Sequence, residues 1–235
     1  MSTYKKIGII AAMQMEAEAL KKKITDAREE TVSGLTFTEG TLAGVSVVLA
    51  VCGEGKVNAA ICAEAMILRY SVDLLLNTGV AGNLSDTLNV GDVAVASDTV
   101  EHDYDLSPLG YEPGMVLGVN SIHVPCDERA VQLIDEVMND LGIRHLVGTV
   151  ASGDQFISGK DLKEQIVSRF GAIACEMEGA AIGHVAALNG VGFAVIRAIS
   201  DNADGSAPEN FGAFAAAAAE NSVKVTEEFL RRTTK

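Results

Sequence analysis

The sequence contains no tryptophan, no C-x-x-C pair, no basic cluster beyond Lys21-Lys22-Lys23 and no apolar run long enough to cross a bilayer. Each absence narrows what the chain can be. Its four cysteines (Cys52, Cys62, Cys126, Cys175) lie far apart, which points to buried, reduced thiols in a cytoplasmic protein rather than a disulfide framework. Basic residues number 18 against 32 acidic ones, a formal net charge of −14. A chain this acidic is repelled by nucleic acid and by anionic membranes, so neither is expected as a partner. The longest apolar runs, such as VSVVLAVC at 45–52, are strand-sized and far below the ~20 residues of a spanning helix. The opening MSTYKKIGII enters a strand-like run directly, without the apolar region of a secretory leader. The expectation is a soluble protein with a neutral or zwitterionic ligand.

Familiar chemical motifs are missing as well. GIIAAM at 8–13 lacks the glycines of G-x-G-x-x-G, without which the backbone cannot approach a pyrophosphate. GEGKVNAA at 53–60 suggests a phosphate-binding loop. However, Val57 stands where Ser or Thr should hold magnesium, and Ala50 takes the first glycine position. His102, His123, His145 and His184 show no metal-ligand spacing, and there is no G-x-S-x-G elbow. No metal and no cofactor are expected.

What is present is 235 residues, 48% of them hydrophobic, enough for a substantial core. Apolar strand-like runs alternate with helix-like segments. A buried strand at 5–13 leads into a helix from about Met13 to Lys23. A hairpin at 34–53 is expected to turn near Glu39-Gly40. Residues 56–70 carry apolar side chains at i, i+3, i+4 spacing and form a helix, followed by strands at 72–82 and 90–100. A helix over Asp127–Leu141, a strand at 146–154 and a helix ending near Phe170, opened by a Ser158–Asp161 capping box, come next. The remainder reads as a helix from Glu176 to Leu188, a strand at 191–201 and a last helix starting at Pro208. Without a linker, repeat or shift in composition, residues 1–235 are expected to form a single α/β domain, a central mixed β-sheet flanked by helices.

In such folds ligands collect beyond the carboxyl ends of the strands. Those positions hold Met13 and Glu16, NTGVAGN (77–83), SGDQFI (152–157), EMEG (176–179) and SDNAD (200–204), with Arg197 the one cation nearby. Acids, small residues and glycine loops suit a ligand with hydroxyls and weakly basic nitrogens, as in a ribose joined to a purine. Each element also has an ordinary explanation. Glu16 and Glu176 can be partners of helix N-termini, Asp201 and Asp204 can cap a loop, and NTGVAG can be a tight turn. Two residues apart on a helix, Glu176 and Glu178 face different ways and are not expected to act as a pair.

Taken together, KIGIIAAMQMEAEAL (6–20), NTGVAGNL (77–84), VGDVAVASDTVEHDYDLSPLGYEPGM (90–115), ASGDQFI (151–157), CEMEGAAIGHV (175–185) and VIRAISDNAD (195–204) resemble the 5′-methylthioadenosine/S-adenosylhomocysteine nucleosidase family. The resemblance extends from about residue 5 to 230. It implies a nucleoside phosphorylase-like three-layer sandwich and hydrolysis of the N-glycosidic bond of a 5′-thio-substituted adenosine. By the same resemblance Asp201, with neighbouring Ser200, recognises the purine and protonates it. Glu16 activates water, Glu178 binds the ribose hydroxyls, and Met177 packs on the sugar. Glu176 and Arg197 lie near the water and the ribose. Phe156 and Ile157 sandwich adenine, Ala81 and Gly82 allow close approach to it, and Met13 and Phe211 line the 5′ pocket. The loop at 102–117 implies a homodimer.

The loop AAMQMEAEAL offers no cation for a phosphate dianion, which favours water over phosphate as the nucleophile. Four positions depart from the commonest pattern of the family. Val80 replaces a frequent Ser, Leu109 replaces a Phe, and Ala11 and Asn83 replace glycines. The first two leave open another adenine nucleoside as substrate, such as 5′-deoxyadenosine or aminodeoxyfutalosine. A phosphorylase or a silent binding protein of the same fold is the more distant alternative.

Overall fold

The computed structural model describes residues 4–205 and 211–234, and the side chains of Glu16 and of residues 211–220 lie outside what it describes. Three apolar segments form the centre of the sheet. β1 (Ile7–Ala11) and β10 (Gly192–Asp201) run parallel to β5 (Leu74–Asn83), one on either side. β4 (Val45–Val51) continues parallel to β1, then β3 (Leu35–Leu42) and β2 (Thr25–Val32) follow antiparallel. Beyond β10 lie β6 (Val93–Glu101), antiparallel to it, and β8 (His145–Ser152), parallel to β6. The short β7 (Val124–Pro125) also pairs with β6. β9 (Ala174–Glu176) then pairs with both β8 and the far end of β5. The sheet therefore closes on itself through β5, giving a barrel-like ring at one end and an open wing at the other.

Side chains alternate across these strands, and the two faces bury separate apolar sets. Ile7, Ile9, Leu74, Leu76, Val93 and Val95 face α1 (Gln14–Lys21), α3 (Glu128–Asp140) and α6 (Phe211–Thr233), represented by Leu20, Ile134, Met138 and Phe229. Ile10, Leu75, Ala94 and Ala96 face α2 (Lys56–Tyr70) and α5 (Gly179–Asn189), through Cys62, Met66, Ile182 and Ala186. α4 (Lys160–Phe170) packs Ile166 and Phe170 in a third cluster with Val100 and Ala151. Each fully buried Leu, Ile or Phe contributes roughly 1.5–3 kcal/mol, so the three-layer arrangement expected from the sequence rests on both faces. Asp127 caps α3, accepting from the Ala130 N–H at 2.8 Å and from the Tyr4 hydroxyl at 2.7 Å. Among the described residues no helix is long and apolar enough to cross a membrane.

Three local expectations are corrected and one strand is added. The β3–β4 hairpin turns at Ala43-Gly44, with φ of 53° and 85°, and not at Glu39-Gly40. Gly40 lies within β3, where a Cβ would meet the Thr25 carbonyl oxygen at 2.5 Å. β2 has no counterpart in the sequence reading, because TDAREETV is polar, mostly exposed and without apolar alternation. The Ser158–Asp161 capping box does not form. α4 starts one residue later than it requires, with Gly159 at the N-cap and no side-chain cap bond. Glu176 does not open a helix: it ends β9, in parallel register with Ser152, and α5 begins at Gly179 after Glu178 as N-cap. Pro208 lies outside the described residues.

Candidate active site

The carboxyl ends of β5, β9 and β10, the segment after β1 and the loop after β8 enclose a cavity of about 590 Å³, its open mouth included. The closure of the sheet is what gathers them, since β9 and β10 are both held by β5. Val80, Ala81 and Gly82 come from β5, Met13 from the β1–α1 junction, and Phe156 and Ile157 from the loop after β8. Ile157 is buried whereas Phe156 is 54% exposed, so its ring forms a wall of the mouth.

One end of the cavity is built around a buried arginine. Arg197 is 1% exposed, beside Glu176 at 7% and Glu178 at 3%. Its Nη2 donates to both carboxylates, to Glu178 at 3.2 Å, and to Asn77 Oδ1, while Nη1 donates to the Val80 carbonyl at 3.3 Å. Charges this deep are tolerated only when paired and hydrogen-bonded. Glu176 has further donors in Ser152 Oγ and in the N–H groups of Glu178 (3.1 Å) and Gly179 (2.8 Å), at the start of α5. Ser152 Oγ in turn accepts from the Ala180 N–H at 2.7 Å. Glu178 accepts from the Gly55 N–H at 2.9 Å. Both glutamates thus converge on one guanidinium, correcting the expectation that their spacing would separate them. The strand geometry at Glu176 and the turn at Met177 bring the two carboxylates round to the same side.

Asp201 occupies the other end, at the last residue of β10. The β5–β10 register shifts between Ile199 and Asp201. This bulge places two consecutive side chains, Ser200 and Asp201, on the cavity. Ser200 Oγ donates to Asp201 Oδ2 at 2.9 Å, and the Ala203 N–H donates to Oδ1 at 2.8 Å. Gly82 lies so close that a Cβ there would stand 3.1 Å from Cys175 Sγ and 3.3 Å from Asp201 Oδ1. Burial, then the charges of Asp201 and Glu176, push the Cys175 thiol up to about 12. It is an inert apolar wall at neutral pH. Among the described lining residues Arg197 is the one cation.

A family model described as the phosphorylase superfamily matches residues 6–231. A 5′-methylthioadenosine/S-adenosylhomocysteine nucleosidase of Shewanella baltica is 38% identical over 211 residues, 89% of each chain. The crystal structure of the nucleosidase of that name from Neisseria meningitidis, in complex with methylthio-immucillin-A, superposes with a TM-score of 0.94 at 33% identity. It covers 97% of this chain and 99% of its own. The chain belongs to this nucleosidase family. A futalosine hydrolase of Helicobacter pylori is also similar, with a TM-score of 0.92 at 36% identity over 97% of this chain and 98% of its own.

Of the residues that the family likeness singles out, Met13, Val80, Ala81, Gly82, Phe156, Ile157, Glu176, Met177, Glu178, Arg197, Ser200 and Asp201 line the one cavity. The backbone of Glu16 lies in the first turns of α1 and that of Phe211 opens α6, but both side chains lie outside the described residues. Leu109 is exposed on a short 3-10 turn at Ser107–Leu109 and does not line the cavity of its own chain. Gly55 and Cys175 are not among the residues that the sequence singles out, and Asn77 and Ser152 fall in its strand-end segments without a role of their own. Asn77 carries a usable signal, an amide directly after the run VDLLL at 72–76. The role of Gly55 appears only once the N-termini of α2 and α5 are brought together in three dimensions.

Proposed function

We propose that the chain hydrolyses the N-glycosidic bond of 5′-methylthioadenosine and S-adenosylhomocysteine, releasing adenine and the 5-thioribose product. The observation that carries this reading is one cavity with two differently built ends. A lone buried carboxylate, Asp201, stands at one end, and the Arg197–Glu176–Glu178 cluster at the other.

Asp201 is the general acid. As the C1′–N9 bond breaks, its electron pair leaves with the purine and the proton of Asp201 passes to N7. The Ser200 hydroxyl and the Ala203 N–H then hold the carboxylate left behind. Adenine stacks against Phe156 and Ile157, and Gly82 admits the ring close to the backbone. Glu178 accepts the ribose hydroxyls over Met177, and the acidic end faces the positive charge that develops on the sugar ring. Water adds to C1′ and gives its proton to Glu16, a role carried over from the family likeness. Arg197 is engaged by Asn77, Glu176, Glu178 and the Val80 carbonyl. It is therefore not presented as a phosphate clamp, which supports hydrolysis over phosphorolysis.

A second reading, hydrolysis of another adenine nucleoside such as aminodeoxyfutalosine or 5′-deoxyadenosine, is favoured by the likeness to the Helicobacter pylori futalosine hydrolase. Val80 in the cavity wall agrees with it. Adenine release from each nucleoside, followed with purified protein, separates the two readings. We further propose a homodimer joined through the loop at 102–117. The exposed Leu109 and Tyr111 on that loop, with Val57, Leu68 and Leu188 on α2 and α5, support it, and a monomer in sedimentation would contradict it. Four free, buried thiols support a cytoplasmic location, which recovery of the protein outside the cell would overturn.

A further inference from the structure

The turn Gly53-Glu54-Gly55-Lys56 resembles a phosphate-binding loop, yet the anions it holds belong to the chain itself. Gly55 N–H donates to Glu178 Oε1 at 2.9 Å, and Lys56 N–H donates to Asp154 Oδ1 at 2.8 Å. These N–H groups lie at the N-terminus of α2, without partners inside the helix and at the positive end of its dipole. Gly55 has φ of 96°, and a Cβ there would stand 3.0 Å from Asp154 Oδ1, so glycine is what admits the carboxylate. The two carboxylates serve different segments of the cavity lining. Glu178 belongs to the arginine cluster, whereas Asp154 directly precedes Gln155, Phe156 and Ile157, which line the same cavity.

The Lys56 side chain completes a clamp on Asp154. Its Nζ donates to Asp103 Oδ1 at 2.6 Å and to Glu101 Oε2 at 3.1 Å. Asp103 Oδ2 accepts the Asp154 N–H at 2.8 Å. Asp154 is thus held at its carboxylate by the Lys56 backbone and at its N–H by Asp103, which the Lys56 ammonium fixes. The side chains of Lys56, Glu101 and Asp103 are 17%, 8% and 20% exposed, so their pairing is shielded from solvent. Burial pulls Lys56 down, but the hydrogen bonds to Asp103 and Glu101 outweigh it and the net direction is up. His184 Nδ1 meets the second oxygen of Glu101 at 2.9 Å.

We propose that Lys56 and Asp103 are positioning residues that set the purine-stacking loop against the ribose carboxylate, an inference that rests on the nucleosidase reading. Neither is among the described residues lining the cavity. Both act through Asp154 and the turn that carries Gly55.

The test is steady-state kinetics with methylthioadenosine and calorimetric binding of adenine for Lys56→Met, Lys56→Arg, Asp103→Asn and the Lys56→Met/Asp103→Asn double variant, each with its Tm. Loss of a buried, charge-assisted hydrogen bond corresponds to a change of about tenfold or more. The expected result is a rise of about that size in both KM and the Kd for adenine in Lys56→Met, with partial recovery in Lys56→Arg. The double variant should be no worse than the worse single one, because both act on the same clamp. Unchanged KM and adenine Kd in folded variants would overturn the inference, as would fully additive losses. If Lys56→Met does not fold, the nearly isosteric Asp103→Asn carries the same comparison. A wild-type protein that neither cleaves methylthioadenosine nor binds adenine refutes the functional reading itself. One that does both, with unaltered variants, refutes only the positioning role.

Discussion

Replacing Arg197 by methionine removes a positive charge shared by Glu176 and Glu178 while leaving most of the side-chain volume in place. Arg197 is 1% exposed and donates to three side chains and one carbonyl. Breaking a buried pair by removing one partner costs about 3–5 kcal/mol, because a charge is left uncompensated. The cost here falls at the upper part of that range, since two carboxylates and the Asn77 carbonyl lose their donor together. In a domain of this size each kcal/mol lowers Tm by about 2–4 °C, so about 4–5 kcal/mol corresponds to a fall of roughly 8–20 °C in scanning calorimetry. Arg197→Lys should fall between the wild type and Arg197→Met, because one ammonium cannot span acceptors placed for a planar fork. Adding Glu178→Gln to Arg197→Met should cost less than adding it to the wild type, since the lost pairing is already absent. A Tm for Arg197→Met within about 2 °C of the wild type, by the same conversion, would refute the view that this cluster is a tightly coupled electrostatic unit.

Two further outcomes are expected. Asp201→Asn keeps the shape of the acid and its contact to the Ala203 N–H but cannot deliver the proton, so kcat should fall by roughly 10²–10⁴-fold or more. Nucleoside binding measured by calorimetry should survive, and retention of most of the activity would remove Asp201 as general acid. Burial holds His102 below the usual histidine range, against the opposing charge of Asp103. The unfolded chain therefore takes up this proton first as pH falls, so stability is complete above the unfolded value and declines as pH drops through it toward the folded one. His102→Asn should flatten the loss of Tm between pH 7 and pH 5, and an unchanged pH slope would contradict the assignment.

The layered α/β fold was legible because its central strands are nearly continuous in Val, Ile and Leu, and α2 and α3 carry apolar residues at helical spacing. β2 was not legible, since an exposed edge strand needs no apolar face and TDAREETV has none. Nor was the ring closure at β9, a three-residue strand defined entirely by pairing with β5 and β8. The site shows the same division. Asp201 and Glu178 stand out as acids just beyond apolar runs, and Arg197 as the one cation near them. Reading Glu176 as helical sent the two glutamates apart, however, and only the strand at Glu176 brings both to Arg197. The GEGK turn reads in the sequence as a failed phosphate loop, because nothing local shows that Glu178 and Asp154 accept from its N–H groups.

In the proposed reaction water, and not phosphate, accepts the sugar. The most direct measurement is adenine release from methylthioadenosine by purified protein in phosphate-free buffer, repeated with added phosphate and with the sugar product identified by mass. Hydrolysis gives release at the same rate in both buffers and a free reducing thioribose as product. Release that requires phosphate, with a sugar 1-phosphate as product, would contradict it.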